Sequence, residues 1–439
     1  MAIEKIDNID SDDIEKINGI AVSSLEKMNG QELSASAPVA ATVCWVAAGA
    51  DGRIMYSTSS TAASGSWNGN DYTEPDGSTN ANAIAFGKDN DGDDQWIIVW
   101  DKGNNLAAVA TVSVPSASSD WSALDLDGTA WGSGKAPADV GYSNGMGTGH
   151  DGTSPGLWAI AGKGGRVAYS YTGSTDTDDW KVDVATTTGF ASNRHIEGLA
   201  FSGSYLFLVG ARTRIVSGSV VMRTTPPTGP YIFWGTSPRC LDENDSVGSS
   251  QFTWKRIAIA GTGSGMRLWA VADSTRTINF PVVATGSGLA CCGDFDGSSG
   301  WHDITNYPVG SFGDNTDSTK RKMHDVAGDG KGNWIIVGQR GEHFKSTNNG
   351  DSWVKMSVPS ADPAALTAIV LYTTKYYSID DTDTWIIGGV DGYLAVSHDI
   401  SDDNNWTLCQ NPWSAAGTGA NRHIYSIAFS QVRNYPGAS

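Results

Sequence analysis

Carboxylates are the most numerous reactive side chains in this 439-residue sequence, and they divide unevenly, forty Asp against eight Glu. Two of them at a fixed separation could hydrolyse a glycosidic bond. Beyond the first 36 residues, however, the only Glu are Glu74, Glu197, Glu243 and Glu342. No nucleophile–base pair stands at a recognisable spacing, so no catalytic residue is assigned. The run Asp89-Asn-Asp-Gly-Asp-Asp94 has the outline of a calcium loop. An EF-hand needs a Glu at its twelfth position and flanking helices; both are missing, and the run reads as a solvated hairpin turn. Asp294-Phe-Asp-Gly297 is a weaker case of the same kind. Gly145-Met-Gly-Thr-Gly-His150 has phosphate-loop character, but no helix follows to offer an N-terminal dipole. His195 and His423 occupy matching places in Asn193-Arg-His-Ile196 and Asn421-Arg-His-Ile424. That equivalence assigns them, with Arg194 and Arg422, to a polar tie between repeats and not to catalysis. The five cysteines (Cys44, Cys240, Cys291, Cys292, Cys409) lack metal-ligand spacing and read as small buried hydrophobes. The sequence calls for no metal and no cofactor.

Sugar recognition is the chemistry that remains. Residues 122–157 and 218–253 are longer than ordinary loops. They set aromatic rings among Asp, Asn and Ser: Trp131 and Tyr142 in the first, Tyr231, Phe233 and Trp234 in the second. The C–H faces of a sugar stack on such rings while its hydroxyls bond the polar neighbours. Trp131, Tyr142, Tyr231 and Trp234 are therefore the expected binding residues; the competing reading wedges them into the core with most of the 17 Trp.

These residues need a scaffold, and composition says which kind. Gly, Trp and Asp are abundant while Glu and Lys are scarce, which favours turns and strands over helix. A 39% hydrophobic share suffices for a packed core. A net charge of −19 without a basic patch repels phosphate backbones, so nucleic acid is not expected as a partner. The first residues carry no apolar run behind a basic segment, so no secretory signal peptide is expected. No apolar stretch approaches ~18 residues, so no membrane insertion is expected either.

Residues 1–36 form a module of their own. Ile3-Glu-Lys-Ile-Asp-Asn8, Ile14-Glu-Lys-Ile-Asn-Gly19 and Leu25-Glu-Lys-Met-Asn-Gly30 align without a gap at a period of eleven. Eleven is the hendecad period of a right-handed coiled coil, but Asn-Gly in two of the repeats opposes helix. A repeated turn between short extended segments fits better. Each repeat is too short to bury its apolar side alone. The apolar positions Ile3, Ile6, Ile14, Ile17, Leu25 and Met28 therefore call for a partner: another protein, or further copies of this chain.

Residues 37–439 carry a longer repeat. Trp45-Val-Ala-Ala-Gly49, Trp158-Ala-Ile-Ala-Gly162, Trp334-Ile-Ile-Val-Gly338 and Trp385-Ile-Ile-Gly-Gly389 are its clearest copies. Trp96-Ile-Ile-Val-Trp100, Leu206-Phe-Leu-Val-Gly210 and Trp269-Ala-Val-Ala-Asp273 bring the number to seven. After the clearest copies comes a tight Gly turn and a strand ending at Ser57, Ser170, Ser346 or Ser397, then a loop closed by Trp67, Trp180, Trp353 or Trp406. Before several copies lies another apolar strand, such as 83–86, 198–201 or 367–370. Four-stranded meanders that stack in sequence imply an all-β fold, a seven-bladed β-propeller. Asn421–Ser430 repeats Asn193–Ser202 with no unit left to open, and the first unit lacks that opening strand. The C-terminal strand is expected to complete it and so remove an open edge.

Ser346-Thr-Asn-Asn-Gly-Asp-Ser-Trp353 resembles the Asp-box of sialidase-like propellers, S-x-D-x-G-x-x-W, with Ser346, Asn348, Gly350 and Trp353 at the family positions and Asn348 in place of Asp. The resemblance implies a structural hairpin. Sialidases add a Tyr nucleophile, an Arg triad and an F/Y-R-I-P stretch, which is absent here. The leader, with Lys-Ile-Asn-Gly and Lys-Met-Asn-Gly, is similar to the N-terminal segments of structural proteins of marine tailed-phage virions. That resemblance implies a non-enzymatic virion component, a tail fibre, baseplate or decoration protein assembled in the host cytoplasm. Residues 1–36 would bind other virion proteins, the propeller a host-surface glycan, with a homo-oligomer or many copies per particle. A virion-borne glycoside hydrolase and a cellular propeller similar to photosystem II assembly factors are the alternatives.

Overall fold

The computed structural model describes residues 43–62, 65–71, 80–102, 106–126, 131, 135–143, 156–184, 195–202, 205–210, 214–223, 229–234, 252–260, 267–274, 289–292, 302–303, 323–338, 342–350, 352–357, 371–379, 382–409 and 423–430, with six two-residue strands before them. The chain divides into two units, Met1–Thr42 and Val43–Ser439. Among the described residues no helix is long and apolar enough to cross a membrane.

In the first unit Lys5–Ile6 pairs with Ile9–Asp10, Lys16–Ile17 with Ile20–Ala21, and Lys27–Met28 with Gln31–Glu32, all antiparallel. The pairs recur every eleven residues, each spanning two residues of sequence, twice Asn-Gly. The dipeptide that argued against a coiled coil therefore separates the strands of a hairpin. Ile6, Ile17 and Met28 fall in these strands; Ile3, Ile14 and Leu25 lie outside the described residues.

The second unit is all-β, with short 3₁₀ turns. Its described strands form seven four-stranded antiparallel sheets. The first consists of Ile424–Phe429, Trp45–Gly49, Arg53–Ser57 and Asn68–Asp71, and the second of Ala81–Lys88, Asp94–Trp100, Ala107–Ala110 and Ser122–Leu124. Pro137–Ser143, Leu157–Gly162, Arg166–Ser170 and Lys181–Val184 make the third, and Ile196–Ser202, Tyr205–Gly210, Arg214–Arg223 and Gly229–Trp234 the fourth. The fifth holds Phe252–Ala260, Arg267–Ser274, Leu289–Cys292 and His302–Asp303. Met323–Gly328, Trp334–Gly338, Glu342–Ser346 and Val354–Ser357 form the sixth. Leu371–Ile379, Thr382–Gly389, Leu394–Ser397 and Trp406–Leu408 form the seventh. The first strand of each sheet packs against the first strand of the next. Meanders stacked in this way make a β-propeller.

Each part of the sequence repeat has a physical reason. Trp45, Trp96, Trp158, Trp334 and Trp385 stand in the second strands and are essentially fully buried, each with a face of ring to fill the wedge between sheets. The indole N–H of Trp96 donates to the Val112 carbonyl (3.1 Å) and that of Trp158 to the Lys88 carbonyl of the preceding sheet (3.0 Å). The Gly that ends the strand admits the chain entering the first strand of its own sheet. A Cβ on Gly49, Gly162 or Gly210 would lie 2.0, 2.5 or 2.2 Å from the carbonyl oxygen of His423, Ala136 or His195. The Ser that ends the third strand is buried and turns the chain, because its hydroxyl accepts the amide two residues on. Ser170 takes Thr172 (3.1 Å), Ser397 takes Asp399 (3.2 Å) and Ser57 takes Ser59 (3.2 Å). At Ser346 the hydroxyl accepts the Gly350 amide (2.8 Å) and donates to Asn348 Oδ1 (2.9 Å), which also accepts the Ser352 amide (3.0 Å). An amide oxygen at position 348 thus serves where a carboxylate would. Trp353 is buried behind this hairpin.

The structure corrects two boundaries. The first strand of the seventh sheet is Leu371–Ile379, not 367–370, which lie outside the described residues. Residues 122–157 and 218–253 are not single insertions. The first range holds strand Ser122–Leu124 and the whole of Pro137–Ser143; the second holds the end of Arg214–Arg223 and the whole of Gly229–Trp234. Ordinary strands lie within both ranges, hidden in the sequence by their Gly, Asp and Pro content.

Candidate functional site

The first strands pair with the second through a register shift near their start, in all seven sheets. Such a bulge leaves one residue out of the strand-to-strand register. The skipped residues are Tyr425, Asn82, Ala138, Glu197, Lys255, His324 and Tyr372 in sheet order. Six of them, all but Lys255, line one cavity of about 480 Å³, and the fifth sheet contributes Arg256 beside its bulge. Every sheet therefore adds at least one residue to one pocket.

In the first, third and sixth sheets the residue after the bulge ties its sheet to the next. Ser426 Oγ accepts the Ile84 amide (3.1 Å), Asp139 Oδ2 the Leu199 amide (2.9 Å) and Asp325 Oδ2 the Thr374 amide (3.1 Å). In each case the acceptor stands one place after a bulge and the donor two places after the bulge of the next sheet. Inner-edge amides that would face the axis unpaired are thereby satisfied. Burial raises the Asp139 carboxyl above its usual range, and the Arg256 guanidinium opposes that rise. Arg256 itself reaches across the pocket: Nη2 donates to the Asn82 carbonyl of the second sheet (3.1 Å) and Nη1 to the Glu197 carbonyl of the fourth.

The pocket has two unlike sides. On one, half-buried rings follow each other, with His324 to Tyr372 at 5.3 Å between centroids and Tyr372 to Tyr425 at 4.9 Å. Burial raises the Tyr372 hydroxyl, and Asp391 adds to it. Burial, with Tyr372, Asp101 and Asp51, pushes Tyr425 up to about 12. Both phenols are therefore protonated donors at neutral pH. On the other side Asp101 accepts the Asn80 amide through Oδ1 (2.9 Å) and the Asn80 side chain through Oδ2 (3.0 Å). Asn82 Nδ2 donates to the Pro137 carbonyl (2.7 Å).

His195 and His423 are ties, as their equivalence implied. Each Nδ1 accepts an amide from the hairpin of the preceding sheet, Gly164 (3.4 Å) and Asp391 (3.2 Å) respectively. Asp89 Oδ1 accepts the amides of Asp91 (3.0 Å) and Asp93 (2.9 Å) in its own turn, and Asp329 does the same for Lys331 and Asn333. Among the described residues no cluster of His, Cys, Asp and Glu could hold a metal. Gly145–His150 and Asp294–Gly297 lie outside the described residues.

Of the expected sugar-binding aromatics, Trp131 and Tyr142 are placed in the core instead. Trp131 is fully buried, packed with Leu124, Leu126, Trp158 and Trp180, and its indole N–H donates to the Lys135 carbonyl. No ligand reaches it. Tyr142 sits within a strand with its ring 4.9 Å from that of Trp158, also against the core. Tyr231 and Trp234 pair with Val221 and Gly218 in the outer ladder of the fourth sheet, and their side chains lie outside the described residues. The pocket residues were missed because their types differ from copy to copy, so no repeat of identities marks them. The signal lay in their position relative to the Trp-x-x-x-Gly strand that follows.

No protein-family model and no curated protein matches this sequence. Solved structures similar to it include YCF48 bound to D1 peptide, at 14% identity and a TM-score of 0.47, covering 81% of this chain and 93% of that one. YCF48 from Cyanidioschyzon merolae is similar at 10% identity and a TM-score of 0.45, over 80% of this chain and 89% of the other. The WD40 β-propeller domain of Doa1 is similar at 13% identity and a TM-score of 0.31, over 58% and 64%.

Proposed function

We propose that this chain is a virion-borne binding protein, with residues 1–36 as its anchor and a seven-bladed propeller that holds a ligand without turning it over. The observation that carries the reading is the pocket rim, to which six sheets bring their bulge residue (Tyr425, Asn82, Ala138, Glu197, His324 and Tyr372) and the fifth brings Arg256, next to its bulge. Closure of the propeller by the C-terminal strand is supported by the pairing of Ile424–Phe429 with Trp45–Gly49, from Ile424 opposite Gly49 to Phe429 opposite Trp45. The Cys44 amide donates to Ser430 Oγ (2.7 Å) and the Ser430 amide to the Cys44 carbonyl (2.8 Å) at the end of that ladder. Binding without catalysis is supported by the pocket tyrosines, which are held as phenols where a nucleophile needs a lowered pKa. Asp101 is likewise engaged by Asn80. Anchoring is supported by hairpins whose ladders are two residues long, too short to stand alone.

Mass spectrometry of purified particles tests the location, and particle incorporation of a chain lacking residues 1–36 tests the anchor. The full chain is expected in virions and the shortened chain is not. Absence of the full chain from particles, or normal incorporation of the shortened one, contradicts the reading.

A further inference from the structure

We infer that the pocket binds a neutral, hydroxyl-rich glycan, laid against Tyr372 and Tyr425 with its hydroxyls toward Asn80, Asp101 and Glu197. This rests on the pocket being the binding site, and it adds the class of ligand.

Three ligand classes fit the walls unequally. A peptide running as an added strand needs free amides along a strand edge. Three of the first strands have spent theirs there, since Ile84, Leu199 and Thr374 give their amides to Ser426, Asp139 and Asp325 of the preceding sheets. An anion needs unspent positive charge. Arg256 already donates to two backbone carbonyls, which leaves Lys163 on the lining against Asp101 and Glu197, while Asp51, Asp101 and Asp391 lie close enough to raise the pocket tyrosines. The chain carries −19 overall, which turns polyanions away before contact. A neutral sugar needs a ring face to stack on and carboxylate or amide groups for its hydroxyls, and those are the two sides present. The row His324, Tyr372, Tyr425 supplies the face, each ring part-buried and fixed by its neighbour. Protonated phenols add donors at its edge. A volume of about 480 Å³ has room for a short oligosaccharide and none for a folded partner.

The test is calorimetric titration of the full-length protein with maltohexaose, isomaltohexaose, chitohexaose and xylohexaose as neutral probes, and with sialyllactose and a heparin hexasaccharide as anionic ones. At least one neutral probe is expected to bind. Tyr372→Leu is expected to weaken that binding about tenfold or more. Asp101→Asn keeps the shape of its side chain and is expected to weaken it by a smaller factor, so the inference stands even if the tyrosine variant fails to fold. Binding of anionic probes alone, weakened by Tyr372→Leu, would overturn the ligand class and keep the pocket. Neutral binding untouched by both substitutions would overturn the pocket with it. No binding by any neutral probe would overturn the inference.

Discussion

Two sets of equivalent positions run through the seven sheets, and they differ in what they tolerate. The second-strand Trp and its closing Gly recur almost unchanged, at Trp45 and Gly49, Trp158 and Gly162, Trp334 and Gly338, Trp385 and Gly389. The bulge position, in the first strand beside it, is Tyr, Asn, Ala, Glu, Lys, His and Tyr in sheet order. The first set is buried against neighbouring backbone and ring, so one residue type solves the problem in most copies. Six of the second set line a cavity and are free of that packing problem. A repeat protein shows its scaffold by what its copies share and its site by where they part.

The largest effect expected is on the strand that both ends of the chain build. Deleting residues 422–439 removes the partner of Trp45–Gly49 and leaves the first and seventh sheets without their shared neighbour. Cooperative thermal unfolding should be lost, read by circular dichroism. Retained cooperativity would break the scaffold side of the comparison. Next, Trp158→Ala should cost about 3–5 kcal/mol in denaturant unfolding, the scale for removing a buried large aromatic. Gly162→Ala should cost less but remain measurable, about 1–3 kcal/mol, because its Cβ would meet the Ala136 carbonyl at 2.5 Å.

One scaffold position carries a titratable group and sharpens the contrast. His343 stands in a third strand where the other copies have Ile54, Val167 and Leu394, and it is fully buried against Trp406. Burial, with Lys345 nearby, lowers its pKa from 6.5 to about 3. The unfolded chain therefore takes up this proton first as pH falls. The neutral imidazole keeps its full stability above pH ~6.5, and between there and about pH 3 stability should fall by about 1.4 kcal/mol per pH unit. Denaturant titrations of wild type and His343→Leu over that range check it, since the substitution should flatten the slope. The smallest stability change is expected at the bulge: Tyr372→Leu, half-exposed in the pocket, should alter unfolding by less than ~1 kcal/mol.

The scaffold was legible because its signals are local. Trp-x-x-x-Gly, the Gly turn and the strand ending in Ser each solve one packing or turn problem within a few residues, so all seven second strands could be placed from sequence. The Asn193–Ser202 and Asn421–Ser430 likeness also showed which strand completes the first sheet. The site was not legible. Trp131 reads as a loop aromatic among Gly and Asp, yet its ring fills the space beside Trp158 and Trp180, contacts set by strands far from it in sequence. Tyr372 and Tyr425 carry no motif, and their rings meet only because the strands Leu371–Ile379 and Ile424–Phe429 pack together with a bulge in each. Bulges arise from the mismatch between two strands, which neither strand shows alone.

A crystal structure of the full chain grown with the tightest-binding neutral hexasaccharide tests the central claim most directly, that the bulge positions are the site and the shared positions the scaffold. The account predicts sugar density against Tyr372 and Tyr425, within reach of Asp101, with the Trp and Gly positions unmoved. Sugar lying instead over residues 144–155 or 235–251, with the pocket holding only water, would contradict it.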